Sequence, residues 1–464
     1  MHASKIAADW IGQIFVDPPS AFTQKSIDRA WSYNSEHPAW MKLSFAWTWL
    51  AQKHLGLFPS ESLAFRFPGM LTGALLLWLI YAWGASVMRR EGALFAALAF
   101  ASMPRVFYHS HLACFDIPIA FFVTLTAYAY WRSLADRRWL PWLGLSFGLA
   151  LATKHNSWIL PGVFLVHFLW IRRDQVRSKR SERASIAWLP AMLMFGPLLL
   201  IATWPWLWHD TGRRLLAYAS FHLRHVHYTY EFLGISYFEP PLPISVPVVM
   251  TLFTVSLTVL ALCLVGLYNR RAALRLPLLT EARVSYGRRT EVLWVGCLLA
   301  PLLLIALPSS PIFGGTKHWI TAYPFLALFA GVGYVDLIER AEILCWMGRR
   351  WPTWAFAGLC LLPGAVETMH SHPFGLSHYR PLAGGVPGAA DLGMNRQFWG
   401  FTTGSLTDWI AAKLPDGVSV WTCDTTHGSW AMMQRDGLIP SNIRAEASMS
   451  AADLVLVHHE AHFV

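Results

Sequence analysis

Apolar and polar positions along this chain come in blocks rather than in alternation. The runs at 71–87, 191–207, 246–267, 293–307 and 320–338 are almost wholly apolar. Each can cross a hydrocarbon layer of roughly 30 Å once polar edges are allowed for. A membrane barrel would show alternation over about ten residues per strand instead. The blocks therefore predict an all-α polytopic membrane protein.

Basic residues fix the expected orientation. Arg and Lys gather in short loops at Arg89-Arg90, Arg137-Arg138, 172–183, 270–289 and 340–350. Cytoplasmic loops carry this bias. With those loops inside, about ten spans are predicted, near 64–87, 92–108, 113–132, 139–154, 157–171, 186–207, 245–268, 291–308, 319–338 and 353–369. Residues 1–63 then form an outer-face segment, 64–369 a transmembrane domain and 370–464 an extracytoplasmic C-terminal domain. Residues 39–58 are apolar but broken by Lys42, Gln52, Lys53 and His54, which predicts an amphipathic helix lying on the outer surface. After Met369 the chain turns polar, with Gly384-Gly385-Val386-Pro387-Gly388 as a turn cluster and β-like runs at 418–422 and 454–457. With a helix at 407–413, this predicts a small α/β unit.

Composition agrees with the block pattern. Of 464 residues 55% are hydrophobic and 14% charged, against about 25% charged in soluble domains. The net charge of +10 sits in the loops between spans, so it reads as orientation signal rather than as a nucleic-acid footprint. Five of the six cysteines (Cys114, Cys263, Cys297, Cys345 and Cys360, not Cys423) lie in or near apolar runs, and no C-x-x-C pair occurs. Neither a disulfide framework nor a zinc knuckle is expected. No secretory signal is read in the polar start, 1–10. The expected location is the inner or plasma membrane, with several passes.

Candidate chemistry lies where charge meets these apolar blocks. Asp116 sits near the outer end of a span, beside Pro118, which loosens the helix. An intramembrane carboxylate is costly and suggests function by default, the plainer alternative being a structural partner of Arg105 or His111. Lys154 ends another span, as a snorkelling lysine or as a phosphate contact. Lys317-His318 follows Gly314-Gly315, where backbone could approach an anion. The 208–244 loop holds His222, His225, His227 and Glu231. One of these histidines with Glu36 offers a metal pair, although solvated loop histidines are the plainer reading. Glu36, His37, Asp116, Lys154, the histidine loop and Lys317 all map to the outer face. Carboxylates among several cations there fit an anionic, lipid-linked substrate.

These motifs resemble the membrane-embedded C-type glycosyltransferases of family 39, the group of the dolichyl-phosphate-mannose protein mannosyltransferases and the aminoarabinose lipid A transferases. The resemblance rests on Glu36-His37-Pro38 with Lys42, Arg66-Phe67-Pro68, Phe115-Asp116-Ile117-Pro118, Thr153-Lys154 and Gly315-Thr316-Lys317-His318-Trp319. The 372–379 stretch, with Gly384-Gly385 and Gly388-Ala389 after it, adds to it. It implies transfer of a hexosyl or pentosyl group from a polyprenyl-phosphate donor to a protein, lipid or glycan hydroxyl on the outer face. Asp116 and Glu36 would be the catalytic carboxylates. His37, Lys154 and Lys317 would contact the donor phosphate, and Glu36 and His225 could share a divalent metal ion. The family pattern opens with a first span and an outer-face acidic pair, and neither is found here. We expect a reading frame that extends upstream; the other possibility is a protein that lacks the base and is inactive or altered. Asp9, Asp17 and Asp28 are poor substitutes for that base. A transporter or flippase, or a non-catalytic binding protein for lipid-linked sugars, is the alternative from another class.

Overall fold

The computed structural model describes residues 1–177, 185–271, 289–312, 314–343, 350–395, 402–423 and 425–457. Cys345 and most of the basic loops at 172–184, 269–290 and 340–350 lie outside the described residues.

The N-terminal segment is a layer of helices. Helix α1 (His2–Val16) buries Ser4, Ala7, Ala8, Trp10 and Ile11, an i, i+3, i+4, i+7 stripe. It packs with α2 (Gln24–Trp31), capped by the Thr23 hydroxyl on the Ser26 amide, and α3 (Trp40–Leu55). Helix α3 covers the surface segment predicted at 39–58 and ends at Gly56, which turns left-handed at φ 62°. That conformation costs glycine little and other residues more.

Among the described residues, helix α4 (Glu61–Ala85) is one of two helices long and apolar enough to cross a membrane; the other covers Ile320–Ala341. The predicted span at 92–108 is instead two helices, α5 (Arg90–Ala101) and α6 (Pro104–Ser110). Pro104 cannot donate to the turn before it and so opens a new helix rather than continuing the old one. Next come α7 (Asp116–Ser133), α8 (Leu140–Leu151), α9 (Leu160–Arg177) and α10 (Trp188–Thr203). Helix α11 (Thr211–Leu223) and the hairpin β1 (Tyr230–Phe232) and β2 (Ile235–Tyr237) lie within the loop predicted at 208–244. Leu233 and Gly234 join the strands with φ of 51° and 80°, the two-residue turn that suits twisted hairpins. The predicted span at 245–268 is also divided, into α12 (Val246–Thr254) and α13 (Leu257–Asn269). Val255 is extended there, and the Ser256 hydroxyl pairs with that of Thr258. Helices α14 (Thr290–Ala306), α15 (Tyr323–Ile343) and α16 (Arg350–Ser371) complete the bundle.

Helix α15 is the axle of this bundle, and glycine lets it sit there. A Cβ on Gly333 would stand 2.0 Å from the Leu262 carbonyl oxygen of α13, and one on Gly331 2.5 Å from the Gly92 carbonyl oxygen of α5. Close backbone approach through small residues is how apolar helices associate where lipid competes with any greasy face. Aromatic rings fill the remaining space: Phe95 stacks on Tyr334 at 4.5 Å, and Trp83 meets Trp294 edge-on at 5.6 Å.

After α17 (Gly385–Asp391), the C-terminal region holds α18 (Thr407–Lys413), β3 (Ser419–Thr422), α19 (His427–Arg435), β4 (Arg444–Ala445) and β5 (Leu454–Leu456). The strands are parallel in the order β4-β3-β5. The predicted helix and both β-like runs are present; β4 and α19 were not predicted. This unit docks on the bundle at the start of α4. The Asp436 carboxylate accepts from the Glu61 and Ser62 amides at 3.2 and 3.3 Å, and Arg435 Nε meets Glu61 Oε2 at 2.7 Å. A carboxylate at a helix N-terminus satisfies amides that have no partner within the helix.

The glycine axle gives a test. Gly333→Ala is expected to destabilise the chain by about 1–3 kcal/mol through overpacking. Gly358→Ala in α16, where a Cβ meets nothing within 4 Å, is expected to be neutral or slightly stabilising. Thermal unfolding of both variants in detergent checks this; equal melting temperatures would argue against the axle.

Candidate functional site

Asp116 opens α7, and only 2% of it is exposed. Lys154 Nζ donates to Asp116 Oδ1 at 2.7 Å, from the bend where the chain leaves α8. His109 Nδ1, from the last turn of α6, stands 3.4 Å from Asp116 Oδ2. Both carboxylate oxygens therefore face a nitrogen. Neither structural partner suggested by the sequence is used: Arg105 donates to the His378 carbonyl, and His111 Nδ1 lies 2.7 Å from the Phe107 carbonyl oxygen. Lys154 is 9% exposed, so it does not snorkel; its ammonium is spent on Asp116. Lys317, 5% exposed, is near enough to act on Asp116 electrostatically.

The opening motif closes over this pair. The His37 ring lies 5.0 Å from Phe115, the residue before Asp116, and 6.3 Å from His222. His222 in turn stacks on His155 at 3.9 Å, and its Nε2 meets the Glu36 carbonyl oxygen at 2.8 Å. The Glu36 carboxylate, half-buried, accepts from Asn34 Nδ2 at 2.6 Å. Lys42 Nζ donates to the Asn34 carbonyl at 2.9 Å and faces the Trp31 ring. Thus Glu36, His37, Asp116 and Lys154 form one neighbourhood, and the 314–318 turn reaches it through Lys317 and through Asn156 Nδ2, which donates to the His318 carbonyl at 3.2 Å. His155, His109 and His222 belong to it although the sequence did not single out the first two. His155 directly follows Lys154, which was the available signal.

Electrostatics modify one role. His37 is held well below the ordinary imidazole value, first by burial and then by the Lys154 and Lys42 charges. It therefore offers a neutral ring near pH 7, not the cation expected at that position. Burial also pushes Lys42 down to about 7, partly offset by the Glu36 charge, and lowers His155. His222 is pushed down to about 4, chiefly by burial, while its contact with the Glu36 carbonyl acts the other way.

The proposed metal pair has a mixed fit. His225 Nδ1 lies 2.7 Å from the Val226 carbonyl oxygen, and its ring packs against Phe221. His222, not His225, is the imidazole against Glu36. Among the described residues the group with converging ligand atoms is His109, Cys114 and Asp116, all within 4.8 Å. Lys154 already occupies one oxygen of that carboxylate, and a fixed ammonium there opposes a second cation. Asp28 is paired with Arg214 at 2.7 Å, and Asp9 and Asp17 are exposed, so none of the three joins the site.

Two outcomes are expected. Lys154→Met leaves a buried carboxylate without its ammonium and should cost about 3–5 kcal/mol, of which adding Asp116→Asn should recover a large part. Equal losses in the single and double variants would contradict the pair. Stability should also fall as pH drops from 6.5 toward about 4, because the unfolded chain takes up a proton on His222 before the folded one does. Thermal unfolding of wild type and His222→Gln across that window checks it, the variant showing the shallower slope.

Residues 37–208 match the sequence model of a family described as dolichyl-phosphate-mannose-protein mannosyltransferase. A comparison with characterised protein sequences found no match. Among solved structures the chain is similar to ArnT from Cupriavidus metallidurans, apo and bound to undecaprenyl phosphate. In both cases identity is 15% and the TM-score 0.49, over 89% of this chain and 76% of that one. It is also similar to the apo oligosaccharyltransferase of Archaeoglobus fulgidus, at 12% identity and TM-score 0.47, over 90% of this chain and 57% of that one. At this level of likeness nothing about activity follows. The family match includes His37, Asp116 and Lys154, and it is over these residues, 37–208, that the chain is similar to the protein mannosyltransferase family of C-type glycosyltransferases.

Proposed function

We propose that the chain is an integral-membrane glycosyltransferase that moves a sugar from a polyprenyl-phosphate donor to an acceptor hydroxyl at the outer membrane face. The observation that carries this reading is the buried Asp116–Lys154 pair, with His37, His222 and Glu36 over it and Lys317 beside it. The family match across His37, Asp116 and Lys154 supports it.

The acceptor oxygen attacks the anomeric carbon, the bond from that carbon to the phosphate oxygen breaks, and the configuration inverts. The hydroxyl proton goes to a carboxylate. Glu36 takes this role, since its carboxylate is half-exposed and has one amide neighbour. Asp116 is a positioning residue on this account: with both oxygens engaged, it holds Lys154 against the departing lipid phosphate. Lys317 adds charge there, and His37 an imidazole N–H. Such fixed donors stabilise charge that develops in the transition state.

The test is transfer from a labelled polyprenyl-phosphate sugar in membranes containing the full chain. Asp116→Asn should act mainly by raising KM for the donor. Glu36→Gln should lower kcat by about 10²-fold or more. Rates like those of wild type in both variants would overturn these assignments. Movement of intact labelled donor across the membrane, with no new glycosidic bond, would favour the flippase alternative.

A further inference from the structure

A second charged group lies away from the Asp116 centre, and nothing described above uses it. Arg105 is 4% exposed. Its Nε and Nη2 both donate to the His378 carbonyl, at 3.2 and 3.1 Å, and its guanidinium faces the Tyr379 ring at 4.9 Å. Among the described residues no carboxylate forms an ion pair with it. A carbonyl and a ring face are dipolar partners rather than a counter-charge, and buried charge is costly unless paired; the Glu231 carboxylate acts on the same Tyr379 side chain.

The free side of this guanidinium looks onto unused polar groups. Arg105 Nη1 lies 3.4 Å from the point that a Cβ on Gly315 would occupy, and the Tyr230 hydroxyl lies 4.0 Å from the same point. Tyr230 is fully buried, and among the described residues its hydroxyl has no hydrogen-bond partner. The Thr316 hydroxyl, next along the turn, is likewise buried without one. Gly315 has φ +61°, so a side chain there would be both strained and crowded against Arg105. A buried donor left unsatisfied costs about 1–3 kcal/mol, and here the Tyr230 hydroxyl and the Arg105 cation meet over Gly315.

We propose that Arg105 and the Tyr230 hydroxyl, over Gly315, form a second oxyanion subsite that takes a phosphate-type group. An oxyanion brings negative charge to the guanidinium and accepts from guanidinium and hydroxyl together. Its relation to the reacting centre is set by α6. Arg105 and His109 are four residues apart on one face of that helix, about 6 Å of rise, and His109 is the residue that meets Asp116. The 314–318 turn spans the same interval, with Gly315 at Arg105 and Lys317 near Asp116. The subsite therefore takes an anionic group carried one helical turn from the leaving phosphate: the second phosphate of a diphosphate-linked donor, or an anionic group on the acceptor. This role rests on the glycosyltransferase reading; the subsite itself does not.

The experiment measures binding of farnesyl phosphate, farnesyl diphosphate and inorganic phosphate to the purified full chain, to Arg105→Gln and to Tyr230→Phe. If the anion is the donor's second phosphate, wild type should prefer the diphosphate lipid by about tenfold or more, and both variants should lose that preference. If it belongs to the acceptor, the two lipids bind alike, and inorganic phosphate binds on top of farnesyl phosphate in wild type but in neither variant. Tyr230→Phe removes a hydroxyl without a partner, so its melting temperature without ligand should equal or exceed that of wild type; this holds even where Arg105→Gln fails to fold. Identical affinities in wild type and Tyr230→Phe for every probe, or no binding of any probe to wild type, overturn the subsite. Failure of farnesyl phosphate alone, with phosphate still bound through Tyr230, would contradict the lipid-donor reading and leave the subsite standing.

Discussion

A carboxylate buried at the start of an apolar helix constrains much of this structure. Asp116 cannot stay charged there without partners, because the cost of dehydrating a lone carboxylate exceeds what ordinary packing returns. Its partners come from distant parts of the chain: Lys154 from the far end of α8 and His109 from the turn before. The need to satisfy one group thus ties α6, α7 and the α8–α9 bend together at one end of the bundle. Glycine contacts around α15 do the corresponding work lower down, with no charge involved.

What gathers over Asp116 is a layered set of polar groups of different character. Lys154 is committed to the carboxylate. His37, His155 and His222 are kept neutral by burial and by the lysines around them. Glu36 stays half-exposed. An arrangement of this kind separates holding a charge from moving a proton, which is what transfer from a lipid phosphate to a hydroxyl requires.

Part of this was legible in the sequence. Asp116, Lys154 and Lys317 stand out because apolar surroundings make any charge conspicuous. Helix breaks were harder, since apolar content does not say where a helix ends: Pro104 marks one division, but the one at Val255 has no such signal. Partners were hardest. Arg105 and His111 are close to Asp116 in sequence, yet the 111–115 turn swings His109 onto the carboxylate instead. The choice of histidine in the 208–244 loop followed helix phase. His222 is one turn beyond the buried Tyr218 on the inner face of α11, whereas His225 comes after the helix has ended.

The central claim is that the Asp116–Lys154 centre receives a lipid phosphate. An experimental structure of the full chain with a short polyprenyl phosphate bound tests it most directly. The account predicts a phosphate oxygen about 3 Å from Lys154 Nζ, with the lipid leaving between helices toward the bilayer. A phosphate bound elsewhere, with Lys154 and Asp116 still closed on each other and no ligand near them, would contradict it.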